Sequence, residues 1–89
     1  MRAVIASTSR ELLADIPEIT ALIAAIESLD STDEGCLLDA AVSTIGEVRR
    51  IELCVSVGPN NKKITLPLSS LTAENIQKIC DFITKNRNA

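Results

Sequence analysis

The chain has 89 residues, of which 46% are hydrophobic, and a formal net charge of −3, a composition that excludes a disordered tail and predicts one domain over residues 1–89. A single phenylalanine is the only aromatic residue, so the core must be aliphatic. Residues 1–35 hold seven acidic side chains against two basic ones, and this acidic half disfavours nucleic acid and anionic membranes as partners.

The first predicted helix covers residues 16–29, and a short turn capped by Ser9 precedes it. Asp15 and Glu18 have the spacing of a capping box, and Pro17 stands in the first turn, where it removes no intrahelical hydrogen bond. Isoleucines then recur at helical spacing and form the face expected to be buried: Ile16, Ile19, Ile23 and Ile26.

Residues 36–45, which follow an acidic loop, allow two interpretations. As a helix, the segment would take Ser31 and Glu34 as caps and present one apolar face, made of Leu37, Leu38, Ala41, Val42 and Ile45. As a strand, it would pair with the next segment through a two-residue turn at Gly46 and Glu47, because a type II′ turn prefers glycine first.

Residues 48–57 form the clearest strand of the chain, with strict alternation of apolar and polar side chains from Arg50 onward. If Gly46 and Glu47 make the turn, four apolar pairs fall on one face: Val42 with Ile51, Ala40 with Leu53, Leu38 with Val55, and Cys36 with Val57. A shift of one residue would destroy this match, so the register favours a strand over residues 36–45.

A third strand and a last helix complete the predicted elements. Residues 58–61 have turn composition, and the strand that follows alternates through Ile64, Leu66 and Leu68. Pro67 cannot donate to a neighbouring strand and therefore indicates an edge position. Thr72 caps the last helix, whose buried stripe is Ile76, Ile79, Cys80 and Ile83.

The predicted fold class is a two-layer α+β domain with the order helix, three-stranded antiparallel meander, helix (αβββα), and with both helices on one sheet face. This order is similar to that of double-stranded-RNA-binding domains. Such domains carry a basic cluster at the start of the last helix, whereas residues 71–75 here contain one acid and no base. The resemblance therefore concerns the order of elements alone.

No residue pattern indicates catalysis, a cofactor or a metal. Histidine is absent, the three cysteines, Cys36, Cys54 and Cys80, form no C-x-x-C motif, and the acidic loop lacks calcium-ligand spacing. We therefore predict a non-enzymatic protein without a cofactor, whose cysteines are free in a reducing cytoplasm. The longest apolar-rich run, residues 19–26, is too short to span a membrane.

A protein partner is the predicted ligand class, for an interaction or regulatory module of the adaptor, inhibitor or chaperone-like kind. The apolar arc of the first helix is wider than one sheet face requires, which predicts an exposed interface and a possible homodimer through Ile19, Leu22, Ile26 and Leu29. The alternative is that Leu12, Leu13 and the last helix cover Leu22 and Leu29 within one monomer.

The alternative function is a nucleic-acid-binding domain that uses a basic hairpin, with Arg49, Arg50, Lys62 and Lys63 as phosphate contacts. The strands contain no aromatic side chain on which a base could stack, and the first helix is acidic. Nucleic acid is therefore the less favoured partner.

Overall fold

The computed structural model describes residues 1–88, which form a four-stranded mixed sheet with three helices. The strands are β1 (Arg2–Ile5), β2 (Gly35–Ile45), β3 (Val48–Val57) and β4 (Lys62–Pro67). The helices are α1 (Arg10–Leu13), α2 (Pro17–Glu27) and α3 (Ala73–Asn86), and short 3-10 turns at Ser7–Ser9 and Leu68–Ser70 precede α1 and α3. The α+β class is confirmed, and the predicted order of elements is only partly correct.

The β2–β3 hairpin has the register that the sequence predicted, from Cys36 opposite Val57 to Ile45 opposite Val48. Gly46 has a φ of +62°, and Glu47 has no positive φ. A type II′ turn requires a positive φ only at its first central residue, whereas a type I′ turn requires it at both. These angles therefore fit a type II′ turn. The strand interpretation of residues 36–45 is confirmed, and the helix interpretation is wrong.

A fourth strand, β1, was not predicted from the sequence. It lies at the sheet edge and pairs in parallel with β2, from Arg2 opposite Gly35 to Ile5 opposite Leu38. Four residues are too few to show a clear period, and a parallel partner can be reached only through a long crossover connection. Here α1 and α2 supply that connection. The sheet is therefore four-stranded and mixed rather than a three-stranded meander.

The start of α2 differs from the predicted capping box. Ile16 is the residue before the helix, and no side chain caps it, although Pro17 opens the first turn as expected. The backbone carbonyl of Ile16 accepts from the N–H groups of Ile19 and Thr20 at 3.0 and 3.1 Å. Ser9 likewise makes no helix cap, because its hydroxyl bonds to β2 instead.

One aliphatic core joins the helices to one face of the sheet. Alternate side chains of the two central strands are buried: Cys36 and Leu38 on β2, and Leu53, Val55 and Val57 on β3. They share a cluster with Leu13 of α1, with Ile19, Leu22 and Ile26 of α2, and with Ile79, Cys80 and Ile83 of α3. The opposite sheet face is open, since Val4 and Leu37 are exposed there.

At the other end of the sheet, β4 confirms the predicted third strand, and its Pro67 lies on the edge. The turn before it contains two residues with positive φ, Gly58 and Asn61. Thr72 caps α3 as predicted, with its hydroxyl accepting from the Asn75 N–H at 3.2 Å. The C-terminal half of the chain therefore follows its local signals closely.

Candidate functional site

The most exposed ordered feature is the distal end of the β2–β3 hairpin, residues 41–50, which we call the arm. Every residue of the arm is exposed. β1 pairs with β2 only as far as Leu38, and β4 pairs with β3 only as far as Glu52. The arm therefore continues as two strands past both of its neighbours. The molecule measures 42 Å along its longest axis and 26 and 25 Å across.

The arm carries aliphatic side chains on both of its faces. Ile45 and Val48, 72% and 62% exposed, pair beside the turn on the face away from the helices. Val42, 41% exposed, pairs with Ile51 on the face that continues the core. Isolated exposed aliphatics are ordinary, but a group of them on a projecting hairpin is typical of a contact surface.

One backbone amide on the β2 edge of the hairpin is satisfied by side chains. The Ala40 N–H donates to the Ser9 hydroxyl and to the Asp39 carboxylate, both at 2.9 Å. Ser9 in turn donates to the Asp39 carboxylate and is itself only 1% exposed. These bonds satisfy the first outward-pointing β2 amide beyond the end of β1, where a further strand would otherwise pair.

A groove of about 750 Å³ lies at the base of the arm, between β3 and the starts of α2 and α3. Its lining combines apolar, polar and charged side chains: Ile16, Glu18, Arg49, Arg50, Ile51, Leu68, Ser69, Leu71 and Thr72. Among residues 1–88, neither Arg49 nor Arg50 has a carboxylate partner. Arg49, on the same sheet face as Ile51, therefore stands beside an apolar floor without a salt-bridge partner in the described part of the chain, and Arg50 follows it along the strand.

The interface predicted on the first helix is not exposed. Ile19, Leu22 and Ile26 are fully buried, and Leu29 is half-buried against the same core. The second apolar stripe of the helix is covered within the monomer, because α1, whose Leu13 is fully buried, and α3 belong to the same core. This is the alternative that the sequence left open, and the apolar helix face through which the homodimer was predicted is not available on the surface.

The four predicted basic contacts do not form one cluster. Lys62 and Lys63 pair with Val57 and Ser56, at the opposite end of β3 from Arg49 and Arg50. Six residues separate Ser56 from Arg50, which corresponds to about 20 Å along a strand. These side chains were grouped because they are near one another in the sequence, but the arm carries the arginines away from the lysines.

A network of charged and polar side chains ties the acidic loop to the end of α3. Arg87 donates to the Asp30 carboxylate, to Glu34 at 2.9 Å and to the Thr32 hydroxyl at 3.0 Å. The N-terminal amine also donates to the Asp30 carboxylate, at 3.0 Å. These bonds, chiefly the one from Arg87, hold the pKa of Asp30 well below its usual range. The acidic loop is thus partly paired, with α3 and with the N-terminal amine.

The three cysteines are free thiols. Burial, and secondarily the neighbouring Cys80, raises the pKa of Cys36 to about 11. Burial also raises the pKa of Cys80. Both thiols behave as small core hydrophobes, whereas Cys54 is only half-buried on the open sheet face. Among residues 1–88, no three carboxylates or thiols lie close enough together to hold a metal ion.

No known protein family, curated protein or solved structure matches the chain. Within residues 1–88, no helix has the length and apolar character needed to cross a membrane. Any functional argument about this chain therefore starts from the arm and the groove themselves.

Proposed function

We propose that this chain is a small, non-enzymatic protein–protein interaction module that contacts its partner through the arm. The observation that carries the proposal is the projection of residues 41–50 beyond both neighbouring strands, with Val42, Ile45 and Val48 exposed. A two-stranded hairpin is only marginally stable in water by itself. An exposed aliphatic hairpin of this kind gains stability when a second surface covers it.

The apolar area on the arm sets the strength of the contact that the arm makes alone. Burying a valine or isoleucine side chain contributes about 1.5–3 kcal/mol. Association costs at least about 4 kcal/mol in lost translational and rotational freedom. Three partly exposed aliphatics therefore support a weak contact, and a stable complex needs a second element of the surface.

The arm also replaces α2 as the surface through which two copies of the chain would meet. Ile19, Leu22 and Ile26 are buried, so a homodimer would use the arm. A cytoplasmic location remains a prediction from the free cysteines. Light scattering of the purified chain distinguishes a monomer from a dimer. If the chain is a monomer, the partner in this proposal is a different protein.

The proposal can be tested by site-specific photo-crosslinking in the cells in which the chain is naturally expressed. One variant carries a photoreactive residue in place of Glu47 at the arm tip, and a matched variant carries it in place of Lys78 on the exposed face of α3. We expect a discrete protein adduct from position 47 and none from position 78. The double substitution Ile45→Thr and Val48→Thr should abolish the adduct, whereas Val4→Thr on the body of the sheet should not.

Adducts that form equally from both positions, or that survive the double substitution, would show that the arm is not the contact surface. Threonine is chosen because it is β-branched and therefore keeps the strand preference of the residues it replaces. A loss of the adduct then reports the loss of apolar contact rather than the loss of the hairpin.

A further inference from the structure

The sheet has a free edge beside the groove, on the side of β3 that faces β4. Pairing between β3 and β4 begins at Glu52 opposite Pro67, and after Pro67 the chain turns into the 3-10 segment Leu68–Ser70. Residues 48–51 of β3 therefore have no strand next to them on this side. Three of them, Arg49, Arg50 and Ile51, line the groove.

The alternation of an antiparallel ladder decides which backbone groups point to this free edge. Ile45 and Val48 flank a two-residue turn, so they form a pair that exchanges both hydrogen bonds across the hairpin. Every second residue of β3 from Val48 does the same, which includes Arg50. The N–H and C=O groups of Arg49 and Ile51 therefore point away from β2, toward the side where β4 has ended and the 3-10 segment Leu68–Ser70 approaches β3.

The two edges of the hairpin are not equivalent. On the β2 side, the Ser9 hydroxyl already occupies the Ala40 N–H, and the Ser7–Ser9 turn lies beside that edge. On the β3 side, no side chain among residues 1–88 makes a hydrogen bond to the backbone of Arg49 or Ile51. An incoming strand would therefore meet open donors and acceptors at Arg49 and Ile51. Within the part of the chain described, Val42 and Thr44 are also unpaired on the β2 edge, but of the two edges only the β3 edge borders the groove.

The charges around the groove indicate what that strand carries. Arg49 and Arg50 stand at one wall, and the opposite wall includes the start of α3, with Thr72 as its cap. Glu18 is the one acidic side chain in the lining. Against it stand the Arg49 side chain, which shares the sheet face of Ile51, the neighbouring Arg50, and the positive ends of two helices. This balance favours a carboxylate in the ligand. The floor is aliphatic, from Ile16, Ile51, Leu68 and Leu71.

We propose that the groove binds an extended acidic segment of a partner protein, which adds as a strand to the β3 edge at Arg49–Ile51. Resting on the proposed function, this inference adds the chemistry of the partner: alternate apolar side chains that reach the floor, and at least one carboxylate near the arginines. The free edge accommodates roughly four to six residues of extended chain. This second contact supplies the affinity that the arm lacks alone.

Selection from a phage-displayed library of random short peptides, with the full chain as bait, tests the proposal. The enriched peptides should be acidic with alternating apolar positions. The double variant Arg49→Glu and Arg50→Glu should lower the affinity for an enriched peptide by about tenfold or more. Each factor of ten is equivalent to about 1.4 kcal/mol of binding free energy. Lys62→Glu and Lys63→Glu make the same change in charge at the far end of the sheet and should leave binding unchanged.

Amide hydrogen exchange on the complex with an enriched peptide tests the strand addition separately. In the free chain, the amides of Arg49 and Ile51 should exchange fast, and the amide of Arg50 should be slower because it bonds to β2. Peptide binding should slow exchange at Arg49 and Ile51. All substituted side chains are exposed, and an unchanged melting temperature will verify that the variants are folded.

Three results would overturn the proposal: no enriched peptide, enriched peptides that are basic or uncharged, or equal binding to the arginine-reversed variant. If a peptide binds but does not slow amide exchange at Arg49 and Ile51, the peptide does not add to the sheet as a strand. A dimer in light scattering that the arginine reversal dissociates would identify a second copy as the occupant instead. If the arm crosslinks while no peptide binds the groove, the proposed function stands and this inference fails; if the arm crosslinks nothing, the proposed function fails as well.

Discussion

The two ends of the β2–β3 hairpin share one register and one pattern of alternation, yet their environments are opposite. At the body end, Leu38 faces Val55, and both side chains are fully buried. At the arm end, Val42 faces Ile51 on the same side of the sheet, but Val42 is exposed. The difference lies in the neighbours: β1, β4 and the helices surround the body end and stop short of the arm.

This comparison shows that alternation determines which face a side chain occupies and leaves open what covers that face. Apolar pairs at the arm look like core pairs in the sequence, since both follow the same period. Their exposure in the folded monomer makes them available for contact with another molecule. Substitutions along the hairpin and at its contacts should separate the two ends, with the largest effect in the buried body and the smallest at the arm tip.

Leu53→Ala should destabilise the chain by about 2–5 kcal/mol, because it leaves a cavity in a core that is fully buried at this position. Val42→Ala, on the same face but in the arm, should change the free energy of unfolding by less than about 0.5 kcal/mol. Urea denaturation of both variants measures the difference. Similar losses from the two substitutions would contradict the contrast between body and arm.

Ser9→Ala should cost about 1–2 kcal/mol, because the buried hydroxyl bonds to both Asp39 and the Ala40 N–H. The Ala40 N–H keeps its bond to Asp39, which limits the loss. Amide exchange at Ala40 should become faster in the variant. Ser7→Ala, in the same turn but exposed, is the matched control and should leave both stability and exchange unchanged.

Stability should fall in acid through Asp30, which anchors the body end of β2 to α3. Its pKa is lowered in the folded state, chiefly by Arg87. Its contribution is therefore fully present above the unfolded value of about 3.9, and it is lost as the pH falls through the lower folded pKa.

Thermal melts between about pH 5 and pH 2 check this expectation, since that window spans the unfolded value and the acid side of it. Asp30→Asn should flatten the dependence of the melting temperature on pH. Asp33→Asn, in the same loop but with no ion pair among residues 1–88, should retain it. An identical acid response from the two variants would assign the effect to other carboxylates.

The smallest expected effect on stability belongs to the arm tip. Ile45→Thr together with Val48→Thr should leave the free energy of unfolding within about 0.5 kcal/mol of the original, because both side chains are already in water. The same substitutions should abolish the crosslink from position 47. A large loss of stability would mean that the tip packs against the chain itself, in contradiction to its exposure.

The candidate site was only partly accessible from the sequence. Arg49 and Arg50 were identified as unusual, but they were grouped with Lys62 and Lys63, which lie at the other end of the sheet. The groove brings these arginines next to Ile16 and Leu68, residues that are distant in the chain. No periodicity or motif predicts that these residues lie together, because their proximity depends on where β4 ends and where the helices begin.

By itself, the sequence determined the hairpin register, the turn at Gly46, the cap at Thr72 and the edge position of Pro67. Each of these depends on interactions between residues that are close along the chain or related by one tight turn, so local patterns specify them. The tertiary structure alone decided the parallel pairing of β1, the burial of Leu22 and the projection of the arm. These outcomes depend on which distant segments compete for the same apolar surface, and burial in the common core, rather than local propensity, settles that competition.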